Sequence, residues 1–513
     1  MITDDTLAAL RANDTRQDNL FLYLDDYSYD QDGDDELTQA LRGNTCVTAV
    51  DVDMHLEEMT NALGTLMTSI GHLQNLQRLR CSSSGDYAVT MAALAKTVAV
   101  TNTYTYTNTN TNNADDISSN AHPANKQHCT SQSLVSLDLS NFLLYDEQQD
   151  NLPLAVQSYQ EFVDTLQNHP TLKSFNLGFG YMSRGHDSSS LPAEQHDSHK
   201  QGEEEDDKAH TSLTPLIRAL TSMPNLDWIR LDGAGFAPRE ALTSQALASF
   251  CNNQTSDALS VLEIHDFDMS LCHIQDLAYA LETNTSLKVL SLSCHEYYSE
   301  NTMVEQQQRN TTIAPATDSN PNSPPPGALC VAQVLRMNTY LEKLFLPMVL
   351  LTGTYKRKET TDEEERTKEG TRTIRALLQI FSALRANHTL LELQLAAAPQ
   401  KDDNEQHALS AMIASSEATP AFRSILQHNY GLQRLDIPYF VSEEWKAEIQ
   451  LHMKLNTMGR GRLVRNTSMT RQQWIQVLTR VQDDVSCLFH MLLLNPLLCQ
   501  SSTTIVSKNP GVQ

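Results

Sequence analysis

The chain has 513 residues, with 37 Lys+Arg against 63 Asp+Glu and a formal net charge of −26. That field repels nucleic acid and anionic membranes and favours a basic protein partner, so neither nucleic acid nor membrane is expected as a partner. No apolar run approaches the roughly 18 residues of a membrane span, and residues 1–24 carry Asp4, Asp5, Arg11, Asp14, Arg16 and Asp18 where a signal peptide needs an apolar middle. The expected location is therefore intracellular, in the cytoplasm or the nucleus.

Residues 1–36 read as an N-terminal capping repeat. Within them Asp30-x-Asp32-Gly33 matches the middle of a calcium loop, but that register puts Ser28 and Gln39 at positions that need carboxylates. The acids read instead as a turn leading into a helix that starts near Leu37, where negative charge favours a helix N-terminus.

From residue 37 to 440 one string recurs: Leu-x-x-Asn-x-x-apolar-x-x-apolar-x-apolar. Its copies begin at Leu41, Leu281, Leu335, Leu384 and Leu426, with the asparagines at Asn44, Asn284, Asn338, Asn387 and Asn429. Upstream, apolar residues fall at i, i+3 and i+4, as in Leu277/Ala280/Leu281, which is one face of a helix. Downstream the period is two, as in Leu290-Ser291-Leu292, which is a short strand. The asparagine suits a helix C-terminus through its tolerance of the left-handed conformation. Other junctions carry Leu73, Ser131, His169, Met223 and Ser256 in its place.

The spacing predicts strands at Leu22, Val50, Leu79, Leu137, Phe175, Ile229, Leu262, Leu290, Leu344, Leu393 and Leu435, with steps of 28 (22 to 50), 29 (50 to 79) and 28 (262 to 290). Units of this length that pair a strand with a helix cannot bury their apolar faces alone, so they stack. Four polar stretches interrupt the series, near 101–130, 183–210, 296–326 and 354–371, and are compositionally loop or disorder. Residues 441–500 read as a helical C-terminal cap of two helices, one starting at Ser442 and ending at Gly459, the other starting at a Thr470/Gln473 capping box and running to Asn495. Residues 501–513 read as a disordered tail.

On these repeats the chain resembles the ribonuclease-inhibitor-like class of leucine-rich repeat proteins, and its segment 453–499 also resembles the cap of an expanded family of such repeats in unicellular algae. The resemblance implies an α/β solenoid shaped as a horseshoe, with a parallel sheet on the concave face and helices on the convex face.

Strand residues that alternate with the buried ones would line the concave face. Asp51, Arg80, Asp138, Asn176, Trp228, Arg230, Glu263, Phe345, Arg434 and Asp436 are the candidate protein-binding residues, with Trp228, Arg230 and Phe345 as anchors. Arg460, Arg462 and Arg465, beside Gly459 and Gly461, form a candidate anion-binding cluster, the one place where local charge opposes the global charge. His186, His196, His199 and His210 lie among acids but in a segment without the framework a metal needs, so no metal and no cofactor is expected. Nine cysteines, odd in number and never spaced C-x-x-C, read as reduced thiols. No nucleophile elbow, zinc-protease or phosphate-loop motif is present, and the expectation is a monomeric, non-catalytic protein-interaction scaffold. The alternative, which the resemblance suggests, is a regulator that activates a small GTPase, with Arg80 or Arg230 involved.

Overall fold

The computed structural model describes residues 4–16, 18–25, 31–42, 44–55, 61–83, 87–110, 134–143, 152–167, 169–180, 213–233, 242–252, 258–298, 323–353, 363–397, 403–440, 442–461 and 471–494. The chain forms two compact units, Met1–Glu296 and Tyr297–Gln513. In each, strands and helices alternate along the chain and neighbouring strands follow sequence order.

The first unit holds β1 (Asn19–Asp25), β2 (Ala49–His55), β3 (Arg78–Ser83), β4 (Ser136–Leu143), β5 (Ser174–Gly180), β6 (Trp228–Asp232), β7 (Val261–Ser270) and all but the last two residues of β8 (Val289–Tyr298). The pairs from β1 to β7 are parallel, which requires each connection to cross back over the sheet and explains the helix between each pair. The second unit holds β9 (Lys343–Pro347), β10 (Glu392–Ala396) and β11 (Arg434–Asp436), also parallel.

Strict alternation makes the strands. In β6, Ile229 and Leu231 are 1 % exposed while Trp228, Arg230 and Asp232 face out, and β9 and β10 repeat the pattern with Leu344/Leu346 and Leu393/Leu395 buried. The helices bury one stripe against that layer, as Ile274, Leu277, Ala278 and Leu281 do in Leu271–Thr283. Each buried large aliphatic contributes on the order of 1.5 to 3 kcal/mol before ordering entropy is subtracted, so stability accumulates along the stack.

The predicted strand positions pair with one another in register from Val50 through Leu79, Leu137, Phe175 and Ile229 to Leu262, and from Leu344 through Leu393 to Leu435. The first strand differs: Leu20, not Leu22, lies beside Val50. Leu20, Leu22 and Leu24 are all buried, so the period of two alone does not set where the strand is cut.

Other boundaries shift as well. The helix expected near Leu37 begins at Gln31, so the Asp32-Gly33 portion of the supposed calcium loop is helical. Helix Tyr87–Asn110 runs into the first polar stretch, and Glu363–Ala386 begins inside the fourth. Threonine, asparagine and charged residues cost a helix only tenths of a kcal/mol each, and both helices are anchored by a buried half, with Met91, Leu94 and Val98 in one and Ile380, Phe381 and Leu384 in the other. The rest of these two stretches, the stretch at 183–210, residues 299–322 of the third and the tail lie outside the described residues. Two helices separate β10 from β11, Asp403–Ala414 and Ala418–His428, where one was expected.

The asparagine junctions do not use the left-handed conformation. Asn284, Asn338 and Asn429 have φ of −71, −79 and −85° with ψ of 131, 123 and 114°, which is extended backbone. Their side chains turn inward instead. Asn429 Oδ1 accepts from the Gly431 and Leu432 N–H groups at 2.9 Å each, while its Nδ2 donates to Leu384 O and Asn387 O at 2.6 and 2.7 Å. Asn44, Asn284 and Asn387 make the same two-sided contact, bonding the following loop and a carbonyl of the preceding repeat. The result is an asparagine ladder that ties these four repeats to the ones before them, and Asn456 of the cap extends it with bonds to Asn429 O and Leu432 O.

The cap has Ser442 at its first helix start, accepting from Trp445 N, and Gly459 at φ +102° after its end. The expected second helix is two, Arg471–Val481 and Val485–Leu494. Asp484 supplies the break, since its Oδ1 accepts from Cys487 N at 2.9 Å and starts a new helix. Thr470 lies outside the described residues. Leu455, Trp474, Val477, Val481, Cys487 and Met491 form the cap core. Phe489 and Leu493 point outward at 58 and 57 % exposed.

Candidate protein-binding surface

Because neighbouring strands are parallel and in register, one side chain per strand falls into a lateral row. Phe21, Asp51, Arg80, Asp138, Asn176, Arg230 and Glu263 form that row across β1 to β7, on the face opposite the buried layer. The residues one position earlier, Val50, Leu79, Leu137, Phe175, Ile229 and Leu262, are at most 1 % exposed. Trp228 lies in the adjoining row beside Ser174 and Val261.

The charges along the row hold one another across strands. Arg80 Nε is 3.8 Å from Asp138 Oδ2, and Asn176 Nδ2 donates to Asp138 Oδ1 at 2.9 Å. Arg230 lies 3.9 Å from Glu263 and 4.0 Å from Asp232, and His265 Nε2 is 3.8 Å from Glu263. The neighbouring His265 ring, reinforced by the nearby Arg230 charge, holds the Glu263 carboxyl below the usual carboxylate range despite partial burial. Asp51 Oδ1 and Asn176 Oδ1, both shielded from solvent, have no hydrogen-bond partner.

In the second unit Phe345, Gln394 and Asp436 share a row, with Lys343, Glu392 and Arg434 in the next. Lys343 Nζ lies 2.7 Å from Glu392 Oε1. Phe345 is half-buried; Arg434 and Asp436 are exposed.

Two residues that sequence reasoning missed stand on β1. Phe21 is 65 % exposed and Tyr23 42 %, both on the face of the row. The alternation Leu20, Leu22, Leu24 was the signal for them, since it turns the intervening aromatics outward.

The candidate anion cluster resolves at one residue. Arg460 is only 3 % exposed and its three guanidinium nitrogens are engaged: Nε with Asn456 Oδ1 at 2.9 Å, Nη1 with His452 Nδ1 at 2.6 Å, Nη2 with Leu426 O at 2.7 Å and Asn429 O at 3.2 Å. It is the terminal member of the asparagine ladder, stacked over Tyr430. Arg462 and Arg465 lie outside the described residues, as do the four loop histidines. The seven described cysteines carry free thiols, and burial pushes that of Cys251 up to about 12. Among the described residues no helix is long and apolar enough to cross a membrane.

Together these observations define a repeating strand-and-helix α/β protein of solenoid-like architecture, with in-register rows of polar and aromatic side chains on one sheet face. No protein-family model matches the chain, and no curated protein sequence matches it.

Proposed function

We propose that this chain is a non-catalytic interaction scaffold of the leucine-rich repeat type, ribonuclease-inhibitor-like in class. Its row-bearing sheet face, concave in this reading, and the strand-to-helix rim hold another protein, one with a basic patch. The observation that carries the reading is the register-aligned row from Phe21 to Glu263, which offers aromatic, cationic and anionic groups on a regular lattice about 4.8 Å apart. The asparagine ladder supports the repeat assignment, because it gives the recurring Asn the same physical task at Asn44, Asn284, Asn387 and Asn429.

Cross-strand pairing of the charges favours a preformed binding surface over a reactive one. Arg80 and Arg230, the residues a GTPase-activating role would employ, are drawn along the sheet to Asp138 and Glu263. Neither is poised to reach a nucleotide without giving up that pair. Addition of the protein to a panel of small GTPases is accordingly expected to leave GTP turnover unchanged.

The direct test is recovery of partners after proximity labelling, followed by affinity measurement with Trp228→Ala and Phe345→Ala. Loss of an anchor on the binding face is expected to weaken the interaction about tenfold or more. Full retention of every partner by both variants would overturn the reading.

A further inference from the structure

The β1 end of the open face has a chemistry of its own. Among the described residues β1 is the last strand on that side of its sheet, so Phe21 and Tyr23 have a described neighbouring strand on one flank only, and they are 65 and 42 % exposed. Beside Phe21 in register stands Asp51, and beside Tyr23 stands Asp53. A parallel sheet sets these neighbours about 4.8 Å apart, and residues two apart on a strand share a face, so two aromatic rings and two carboxylates occupy one corner.

One acceptor of that corner is left unmet. The nearest cation in the row, Arg80, is turned to Asp138 at 3.8 Å, and Asp51 Oδ1 is left shielded from water with no hydrogen-bond partner. A shielded acceptor without a donor is unfavourable, and an incoming cation relieves it. Asp53 accepts from Ser82 Oγ at 2.8 Å.

The geometry points to this corner as a clamp for a lysine or arginine side chain that a protein partner presents next to an apolar residue. The aliphatic stem and the neighbouring apolar residue lie on Phe21, the cation lies over Tyr23, and one of its N–H groups donates to Asp51 Oδ1. Lysine and arginine suit such a place because they bury their methylene stems on apolar surface while the charge seeks a carboxylate or a ring face. The net charge of −26 steers the same class of partner toward the surface. This inference rests on the proposal that the open face binds protein, and names the chemistry recognised at one end of it.

The test uses the full chain and three fluorescein-labelled peptides of equal length, alternating leucine with lysine, with glutamine or with glutamate, followed by anisotropy. Saturable binding of the lysine peptide is expected, with the glutamine and glutamate peptides about tenfold weaker or worse, and with Phe21→Ala and Asp51→Asn each weakening the lysine peptide about tenfold. Phe489→Ala, at an exposed ring on the cap, is expected to leave that peptide's affinity unchanged, and urea midpoints equal to wild type establish that both corner variants are folded. Absence of saturable binding, equal binding of the glutamine peptide, or indifference to Phe21→Ala and Asp51→Asn would each overturn the clamp. Sensitivity of the peptide to Trp228→Ala instead overturns the clamp and leaves the wider face-binding reading standing. Retention of natural partners by the Trp228 and Phe345 variants, with peptide binding still lost in Phe21→Ala, would do the reverse.

Discussion

Asn429 makes four hydrogen bonds with one amide, two to the loop that follows it and two to carbonyls upstream. At 1 % exposure none of these groups has water as an alternative. Asn429→Ala is therefore expected to lower stability by at least about 2 kcal/mol, read as a fall in the urea midpoint, because buried N–H and C=O groups are left unmade. His169 occupies the equivalent place between two other units and meets it less completely: Nε2 lies 3.3 Å from Thr101 Oγ1, while Nδ1 is buried with no partner. Burial pushes its imidazole down to about 4 from the ordinary 6.5. The unfolded chain thus binds a proton that the folded chain refuses, so stability holds above pH 6.5 and is lost as pH falls from there toward 4. The loss from this residue alone is up to about 3 kcal/mol. His169→Asn is expected to flatten that acid limb, seen by comparing urea midpoints at pH 7 and pH 5. His452, held at about 4 by burial and by Arg460, and His273, lowered by burial, retain part of it.

At the scale of elements, two devices position the helices. His273 joins a helix start to the preceding unit: its Nδ1 faces the Ser270 N–H at 3.1 Å and its Nε2 lies 2.8 Å from Leu242 O. This reciprocal cap does by imidazole what glutamate does in the usual capping box. Gly327, in the first turn of Pro326–Met337, lets that helix close on the short helix Met348–Thr352, where a Cβ would collide with the Leu350 backbone carbonyl. Gly327→Ala is expected to destabilise the second unit by about 1 to 3 kcal/mol, as overpacking against backbone does, measured as earlier loss of far-UV ellipticity on heating. Next to the cap, Phe381, Phe422, Phe440 and Trp445 pack as a chain of rings, with Phe422 and Phe440 stacked at 4.1 Å and Arg423 over Trp445 at 5.0 Å. The helix Val485–Leu494 is apolar on both sides. Cys487 and Met491 close the cap while Val485, Phe489 and Leu493 face out.

For the molecule as a whole, charge and repetition act on different properties. Repetition supplies stability, because every added unit buries a strand face and a helix stripe against its neighbour. The charge of −26 does not hold the fold together; it biases the approach of partners. The affinities measured with the Trp228 and Phe345 variants should accordingly all weaken as salt is raised from about 0.05 to 0.5 M, since the Debye length falls from above 10 Å toward a few ångströms. Ion pairs already closed within the face, such as Lys343 with Glu392, add little to this because they are matched before any partner arrives.

The aliphatic periods in the sequence were enough to determine the alternation of helix and strand and, from Val50 onward, most of the cross-strand register. A half-buried sheet permits only one parity for each strand. They also determined which side chains share the open face, and would have included Phe21 and Tyr23 had the run Leu20, Leu22, Leu24 been followed to its start. What only the tertiary structure decided is how polar groups are spent. The asparagines bond from one repeat to the one before, Arg460 is drawn into their ladder rather than offered to an anion, and Arg80 chooses Asp138 over Asp51. Each of those choices depends on a neighbour tens of residues away in the chain, and local spacing carries no information about which of several nearby partners a charge or an amide will reach.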